Sequence, residues 1–382
     1  MTPPTRAESG SPAYDGATWT QWAVQEIIAD YTRSSDTHLL RLSLPVLACN
    51  DIQLYLKDES THPTGSLKHR LARSLFLHGL CSGWIRQGRP VVEASSGSTA
   101  VSEAYFCRLL KLPFIAVVPD TTAPAKLEEI EFLGGQVSQV PAASIYERAP
   151  ALADDLDGHY MDQFTFAEQA TDWRGNNNIA ESIFQQLAHE RYPIPRYIVV
   201  GAGTGGTSAT IGRYIRYLAT AEGRPQLIVA DPEGSVFFDY FQSGDRTLTS
   251  PVISRIEGIG RPRVERSFIR DVIDGMVRVP DAASIASARF IEHRLGKKAG
   301  GSTGTNIFAA FQLASQMIER GVSGSLVTLL CDGGERYRET YYSDHWLREQ
   351  RLDIVEYLDA LERFADSGKL EDRYFGEATP RE

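Results

Sequence analysis

The chain has 382 residues, 42% of them hydrophobic and 23% charged, which is the composition of an ordinary globular enzyme. This length indicates two domains, because single hydrophobic cores stop growing near ~250–300 residues. The net charge of −10 argues against a broad basic surface for nucleic acid, and no run reaches the ~18 apolar residues that a membrane span needs.

Cysteines and histidines give no support for a disulfide framework or a metal site. Cys49, Cys81, Cys107 and Cys331 lack CxxC spacing and fall in apolar sequence, so we interpret them as reduced packing residues. The eight histidines form no HExxH or HxH cluster. Residues 1–16 are rich in Pro, Ser and Gly without an apolar core, which predicts a flexible tail and not a secretion signal. We therefore expect a cytoplasmic protein without a metal.

Short apolar runs alternate with longer segments of helical spacing. The predicted strands are Ile52–Lys57, Pro90–Ala94, Phe114–Pro119, Gln136–Val140, Tyr197–Val200, Gln226–Asp231 and Leu326–Cys331. The predicted helices are Thr18–Arg33, Leu67–Leu80, Ser98–Leu110, Pro124–Leu133, Ile145–Asp155, Asn178–Glu190, Gly206–Ala219, Ser284–Leu295 and Thr305–Arg320. This alternation predicts parallel sheets covered by helices on both faces, with ligands bound beyond the carboxyl ends of the strands.

Three segments rich in glycine and hydroxyl groups precede predicted helices: Ser95–Thr99, Gly201–Thr207 and Gly300–Thr305. Backbone N–H groups at a helix start can converge on an anion, and the helix N-terminus adds a partial positive charge. Each segment viewed alone also fits an ordinary capping turn. The Gly201–Thr207 segment is neither a P-loop nor a complete dinucleotide fingerprint.

Lys68 follows the predicted strand Ile52–Lys57 and lies in the run Thr61–Arg70. A lysine in the first turn of a helix is usually solvated. Combined with a later loop suited to a phosphate, however, its amine predicts an enzyme that carries pyridoxal 5′-phosphate (PLP) through a Schiff base.

These motifs together resemble the fold-type II PLP enzymes (tryptophan synthase β-like), specifically the cysteine synthase and cystathionine β-synthase family, over about Leu39 to Tyr342. The resemblance implies that Lys68 is the Schiff-base lysine and that Gly203, Thr204, Gly205, Gly206 and Thr207 bind the phosphate. It places Ser302 at the pyridine nitrogen and Ser98 in the position that faces the ring oxygen. The implied substrate-binding residues are Ser95, Ser96, Gly97, Thr99, Gln163 and Gly258.

Three positions depart from the family pattern. His69 replaces an aspartate, Ser98 replaces the loop asparagine that reaches the ring oxygen, and Ala100 replaces a glycine. Because serine is shorter than asparagine, the ring oxygen is contacted through water or not at all.

The resemblance also implies an α/β fold of two parallel-sheet domains with the active site between them. We expect a tail at 1–16, a large PLP-binding domain at 17–74 and 174–341, and a small substrate-loop domain at 75–173. A C-terminal helical extension at 342–382 would cap a domain or meet a partner subunit. A homodimer is expected from the family alone.

The chain most resembles the L-cysteine desulfhydrase group of this family, which implies β-elimination of L-cysteine to sulfide, pyruvate and ammonia. Two alternatives stay open: β-replacement that makes cysteine or S-sulfocysteine from O-acetylserine or O-phosphoserine, and a catalytically silent partner-binding protein. Arg261 and Arg263 either read an anionic donor or form a surface ion pair with Glu257 or Glu265.

Overall fold

The computed structural model describes residues 16–371, with gaps at 35, 176–177, 219–222 and 253. The chain divides into two compact units. The smaller contains Leu75–Ser96 and Ala100–Met161 together with the described residues before 35. The larger contains Asp36–Ser74, Gly97–Thr99 and the described chain from Asp162 onward. This division places residues 16–34 in the smaller unit and 162–173 in the larger. The predicted boundaries had assigned 17–34 to the large domain and 162–173 to the small one. Except for Gly16, the predicted tail lies outside the described residues.

The described chain forms ten strands and fourteen α-helices. The strands are β1 (His38–Leu42), β2 (Ile52–Asp58), β3 (Val91–Glu93), β4 (Phe114–Pro119), β5 (Gln136–Val140), β6 (His159–Tyr160), β7 (Tyr197–Gly201), β8 (Gln226–Pro232), β9 (Gly275–Val279) and β10 (Gly324–Leu330). The helices are α1 (Gly16–Thr32), α2 (Pro45–Cys49), α3 (Lys68–Cys81), α4 (Ser98–Leu110), α5 (Pro124–Phe132), α6 (Ile145–Asp155), α7 (Gln163–Ala170), α8 (Ile179–Leu187), α9 (Gly206–Leu218), α10 (Phe237–Ser243), α11 (Asp281–Leu295), α12 (Gly301–Glu319), α13 (Asp344–Glu349) and α14 (Val355–Ser367).

The larger unit is built on a six-stranded sheet in the order β1-β2-β10-β7-β8-β9. All neighbouring pairs are parallel except β1 with β2. Every residue of β2 and β10 is buried, as expected for strands covered on both faces. The prediction of a parallel sheet is confirmed here, with an antiparallel edge strand that the sequence analysis missed.

The smaller unit has a fully parallel four-stranded sheet in the order β5-β4-β3-β6. Its apolar core joins β3, β4 and α6 through Val92, Val117 and Ala149. β6 has only two residues, which is too short for a sequence pattern to reveal.

Adjacent strands of the larger sheet bring distant segments of the chain to one edge. The segment before α3 pairs with the segment after β10, since Leu67 N–H donates to the Cys331 carbonyl at 2.8 Å and Ser66 bridges Asp332. β7 lies on the other side of β10 and leads into α9. The lysine segment and the glycine-rich loop therefore leave the two strands that flank β10, at the same carboxyl edge of the sheet.

One predicted feature is corrected by this arrangement and another agrees with it. The segment Gly300–Thr305 is not a loop ahead of a helix, because α12 already begins at Gly301. Its small residues allow α12 to lie close to α11: a Cβ on Gly304 would approach the Ser284 carbonyl oxygen to 1.8 Å. The C-terminal extension does pack on the larger unit, where Ile354, Leu361 and Phe364 join its core, but 372–382 lie outside the described residues.

Candidate active site

Lys68 is the first residue of α3, at the carboxyl edge of the larger sheet. Its backbone N–H donates to Ser66 Oγ at 3.3 Å. Burial lowers the pKa of the Lys68 amine, and the positive charge of Arg261 lowers it further, although Cys331 and Asp332 act in the opposite direction. The environment thus favours a neutral amine, which is the form that can act as a nucleophile or a base.

A buried ion network fixes the start of α3 two residues beyond this lysine. Arg70 donates to Glu59 through Nε at 2.6 Å and through Nη2 at 3.0 Å, and Nη2 also donates to Asp36 at 2.7 Å. Burial alone would raise the pKa of both carboxyls, but the charge of Arg70 holds the pKa of Glu59 well below its usual range and lowers that of Asp36 to about 2. The arginine of the lysine motif is therefore an anchor for the helix that carries Lys68.

His69 occupies the position where the family has an aspartate, and its side chain is buried away from solvent. Its ring stacks on His62 with 5.2 Å between centroids, and Nδ1 lies 3.2 Å from Thr64 Oγ1. Burial lowers the pKa of His69 to about 3, with His62 contributing in the same direction. The residue is neutral at physiological pH and packs the turn before α3.

The glycine-rich loop connects β7 to α9 and depends on glycine at three positions. Gly205 has a φ of +89°, and a Cβ there would lie 2.5 Å from Phe268 Cα. A Cβ on Gly203 would lie 2.3 Å from the Gly258 carbonyl oxygen, and one on Gly206 would press on Ala167 at 3.0 Å. The loop thus brings backbone N–H groups to the N-terminus of a thirteen-residue helix. Thr204 Oγ1 accepts from Gly206 N–H at 3.2 Å, and Thr207 is partly accessible.

Ser302 lies in the first turn of α12, beside the end of β10. Its hydroxyl lowers the pKa of the nearby Cys331 thiol. That thiol accepts from Asn306 Nδ2 at 3.3 Å, and Thr303 Oγ1 accepts from the Cys331 N–H at 2.9 Å. Burial raises the pKa of Cys331 to about 12, so the thiol is neutral. The interpretation of all four cysteines as packing residues is wrong for Cys49 and Cys81, which are exposed, and Cys331 is buried among polar neighbours.

Within the larger unit, two residues of the predicted substrate set meet. Thr99 Oγ1 donates to Gln163 Oε1 at 2.8 Å, and both side chains are buried. The bond to the amide oxygen leaves the Gln163 NH₂ group as the end that can donate to a carboxylate. Ser95 and Ser96 belong to the smaller unit and are partly accessible, as is Gly97 of the larger unit.

Ser98, the first residue of α4, is bound by an arginine from the end of the sheet. Arg336 Nη1 donates to Ser98 Oγ at 2.6 Å. Arg336 lies in the short 3-10 turn Glu335–Tyr337, and its charge acts to lower the pKa of the buried Asp332 carboxyl. Burial raises the pKa of Asp332 to about 6, while the bond that Tyr337 Oη donates at 2.7 Å and the charge of Arg336 limit the rise.

The two arginines beyond the pocket glycines share one carboxylate. Arg261 Nε and Arg263 Nε lie 2.8 Å and 3.2 Å from Glu265 Oε1, which is one of the ion pairs that the sequence left open. The Arg261 guanidinium also lies over the Phe164 ring, 4.1 Å from its centroid. Arg261 is mostly buried, whereas Arg263 is about half exposed, with 47% of its side-chain area accessible.

These residues fit the PLP group that the sequence motifs suggest. The larger unit contains a desolvated lysine amine and a glycine-rich loop that a single Cβ would disrupt. It also contains a neutral hydroxyl at Ser302 and a neutral thiol at Cys331. Sequence reasoning missed Cys331, Asp332 and Asn306; only their position at the end of a buried strand could have indicated them. In the described part of the chain, no group of three or more His, Cys, Asp or Glu side chains could hold a metal ion. No helix there is both long and apolar enough to cross a membrane.

Comparisons with known proteins identify the family to which the chain belongs. The family model described as "Pyridoxal-phosphate dependent enzyme" matches residues 35–332. The chain is 58% identical over 352 residues to L-cysteine desulfhydrase Cds1 of Mycobacterium tuberculosis, covering 91% of this chain and 95% of that protein. It is 29% identical to cysteine synthase 1 of Neurospora crassa, covering 78% of each chain. The crystal structure of O-ureido-L-serine synthase has the same fold, with a TM-score of 0.69, 24% identity, and coverage of 88% of this chain and all of that one.

Proposed function

Because the chain belongs to the pyridoxal-phosphate dependent enzyme family, we propose that it removes sulfide from L-cysteine by β-elimination, leaving pyruvate and ammonia. The observation that carries this proposal is the 58% identity to a named L-cysteine desulfhydrase over 91% of the chain. The site of the larger unit supports it, since each of the residue types that such a reaction needs is present there.

PLP supplies an electron sink for the pair released when the substrate loses its α-proton. Lys68 would hold the cofactor, and its Nζ would be the base for the α-proton, which requires the neutral amine that its lowered pKa favours. The glycine loop Gly203–Thr207 would bind the phosphate through backbone N–H groups at the start of α9. Arg70 keeps the first turn of α3 in place while Lys68 gains and loses its proton.

Neutral groups at the pyridine-nitrogen position favour loss of the β-substituent, a step that elimination and replacement share. Ser302 and the Cys331 thiol are both uncharged, so neither stabilises a proton on the ring nitrogen as a carboxylate would. A weaker electron sink suits a reaction in which the β-substituent leaves soon after the α-proton. Gln163, oriented by Thr99, is the proposed donor to the substrate carboxylate. Ser95, Ser96, Gly97 and Gly258 stay predictions as further substrate contacts.

β-Replacement is the second candidate, and the position of Arg261 favours it. Its guanidinium is held by Glu265 and Phe164 and acts electrostatically on Lys68, so it lies where an anionic donor such as O-phosphoserine could be read. If it reads such a donor, Arg261→Ala raises the KM for O-phosphoserine more than the KM for cysteine, whereas an effect through the pKa of Lys68 changes the turnover of both substrates. Arg263→Ala is the matched control, because Arg263 binds the same carboxylate but is more exposed. Equal kinetics in wild type and Arg261→Ala would end this second candidate.

One pair of assays separates the candidates. The purified, PLP-loaded protein is incubated with L-cysteine while sulfide and pyruvate are measured, and in parallel with O-acetylserine plus sulfide while cysteine is measured. Elimination predicts equal amounts of sulfide and pyruvate at a rate above that of cysteine synthesis. The opposite ranking would support replacement, and inactivity in both assays would favour the partner-binding alternative.

A homodimer in the cytoplasm completes the proposal: family resemblance alone supports the dimer, and the cysteine pattern and N-terminal composition support the cytoplasm. Sedimentation equilibrium on the loaded protein tests the dimer: a monomer mass at micromolar concentration would contradict it.

A further inference from the structure

Asp332 is a buried carboxyl directly beyond β10, and the reaction proposed above assigns it no role. It is 6% exposed, and Tyr337 Oη donates to its Oδ2 at 2.7 Å. Its Oδ1 is buried, and the part of the chain that the structure describes offers this oxygen no hydrogen-bond donor. A side chain on Gly300 would collide with Oδ1, so the glycine leaves the space that the oxygen occupies. A buried polar atom without a partner is costly, so its position calls for an explanation.

The backbone holds Asp332 beside the segment that leads into Lys68. Ser66 and Asp332 form an antiparallel bridge, and backbone hydrogen bonds of 2.8 and 3.1 Å flank it on either side. Side chains of opposite residues in such a pair lie on the same face, with Cβ atoms about 4.5–5.5 Å apart. Ser66 Oγ also accepts the backbone N–H of Lys68 at 3.3 Å. The carboxyl therefore lies next to the first turn of α3.

Asp332 supplies the negative charge that acts on the Lys68 amine. Burial and the charge of Arg261 lower the pKa of this amine, whereas Cys331 and Asp332 act to raise it. Burial raises the pKa of the Cys331 thiol to about 12, so the thiol is neutral at physiological pH. Of the groups that shift the pKa of the amine, Asp332 is thus the one that carries a negative charge there.

The groups that face Asp332 set its own ionisation. Burial raises the pKa of its carboxyl to about 6, and the charge of Glu257 adds to the rise. The hydrogen bond from Tyr337 and the charges of Arg336 and Lys68 oppose the rise. Oδ1 also lies against the N-cap of the nineteen-residue helix α12, where the helix dipole favours a negative charge. The carboxyl is therefore mostly ionised at neutral pH and above.

A buried base needs an opposite charge nearby when it takes a proton. As the substrate loses its α-proton, the C–H bond breaks, the bonding pair passes to the bound cofactor, and an N–H bond forms on Lys68. The positive charge that Lys68 gains lies close enough to Arg261 to be repelled by it. We propose that Asp332 is a positioning residue, whose carboxylate balances the charge that Lys68 gains with the α-proton. The inference rests on the proposed function in taking Lys68 as the base, and it holds for elimination and replacement alike.

The pKa of the Lys68 amine in the full-length protein tests the proposal without PLP. Brief acetylation with acetic anhydride at a series of pH values, followed by peptide mass spectrometry, gives the pH at which half of this amine is neutral, because only the neutral amine reacts. Asp332→Asn removes the negative charge and should move this midpoint about one pH unit lower. Local unfolding would instead expose the amine and move the midpoint upward, toward the ordinary pKa of lysine.

Asp281→Asn is the matched control for the same change of side chain. Asp281 is another buried carboxyl of the larger unit, 2% exposed, with a pKa that burial raises to about 6. It is not among the groups that shift the pKa of the Lys68 amine, so the midpoint should stay at its wild-type value. Should Asp332→Asn fail to fold, Asp332→Ser makes the same test with a smaller neutral side chain.

Turnover of the PLP-loaded protein then connects the charge to the reaction. Asp332→Asn should lower kcat for L-cysteine and leave KM unchanged, because the carboxyl acts through Lys68 and not on the substrate. A midpoint that is unchanged or raised in the folded Asp332 variants would overturn the proposal, as would a lowered midpoint with an unchanged kcat. An equal shift in Asp281→Asn would also overturn it, because the effect would then not belong to Asp332. Binding of PLP to a lysine other than Lys68 would refute the proposed function while the shift in midpoint still stood, so the two failures are distinguishable.

Discussion

Replacing Arg70 should destabilise the larger unit strongly, because this arginine neutralises a carboxylate that has no access to water. Glu59 is fully buried and Arg70 is 8% exposed, and two hydrogen bonds of 2.6 and 3.0 Å join them. Removing one partner of a buried ion pair costs about 3–5 kcal/mol, since the other charge stays buried without compensation. That is a large share of the ~5–15 kcal/mol that stabilises a typical domain. We therefore expect Arg70→Met to lower the free energy of unfolding by about 3–5 kcal/mol.

Urea denaturation of the loaded protein, followed by far-ultraviolet circular dichroism and by release of PLP, measures this loss. Two matched variants sharpen the result. Glu59→Gln combined with Arg70→Met removes both charges of this pair and should lose less stability than Arg70→Met alone. Arg33→Ala removes an arginine whose side chain is 61% exposed in its pair with Asp30, so it should cost less than about 1 kcal/mol. An Arg70→Met loss no larger than that of Arg33→Ala would refute the reasoning.

Two further predictions concern the glycine loop and a buried acid. Gly205→Ala should lower the free energy of unfolding by about 2 kcal/mol or more and weaken PLP retention in equilibrium dialysis, because a φ of +89° and the nearby Phe268 backbone both oppose a Cβ. Gly321→Ala is the control, because Gly321 has a φ of +61° and no atom within 4 Å. It should lower the free energy of unfolding by only about 1 kcal/mol and retain PLP. Equal PLP retention in both variants would contradict the fit of the loop to a phosphate. Burial, together with the charge of Glu93, raises the pKa of Glu103 well above its usual range, so the folded state holds a proton that the unfolded state loses as pH rises. This stabilisation is fully present below the pKa of the unfolded state and is lost as the pH rises through the raised pKa of the folded state. The free energy of unfolding of wild type should therefore fall relative to that of Glu103→Gln between pH 5 and pH 9. A constant difference between the two proteins would show that the carboxyl does not titrate in this range.

Much of the fold could be predicted because local patterns determine it. Phe114–Pro119, Gln136–Val140 and Ser98–Leu110 have the predicted bounds, since each apolar run or helical period is closed by Pro, Gly or a polar turn. β1 was missed because its antiparallel pairing at the sheet edge depends on β2 and not on its own sequence. α12 was begun four residues too late because small polar residues usually signal a loop, whereas here they allow close packing on α11.

The candidate site was predictable where a motif is contiguous and was missed where contacts join distant segments. Lys68 and the glycine loop follow from local runs. The bond from Arg70 to Glu59 joins side chains eleven residues apart, and no sequence pattern pairs them. The Cys331 thiol beside Ser302 and the bond from Arg336 to Ser98 join segments that only the folded chain brings together, so a single sequence does not reveal them.

The covalent bond between Lys68 and PLP is the central claim, and peptide mass spectrometry tests it most directly. Sodium borohydride converts the linkage of the loaded protein into a stable amine, and digestion then locates the added mass. We predict that the phosphopyridoxyl group is found on the peptide containing Lys68. Its location on another lysine, such as Lys57 or Lys297, or its absence from every lysine peptide of a yellow protein, would contradict the account.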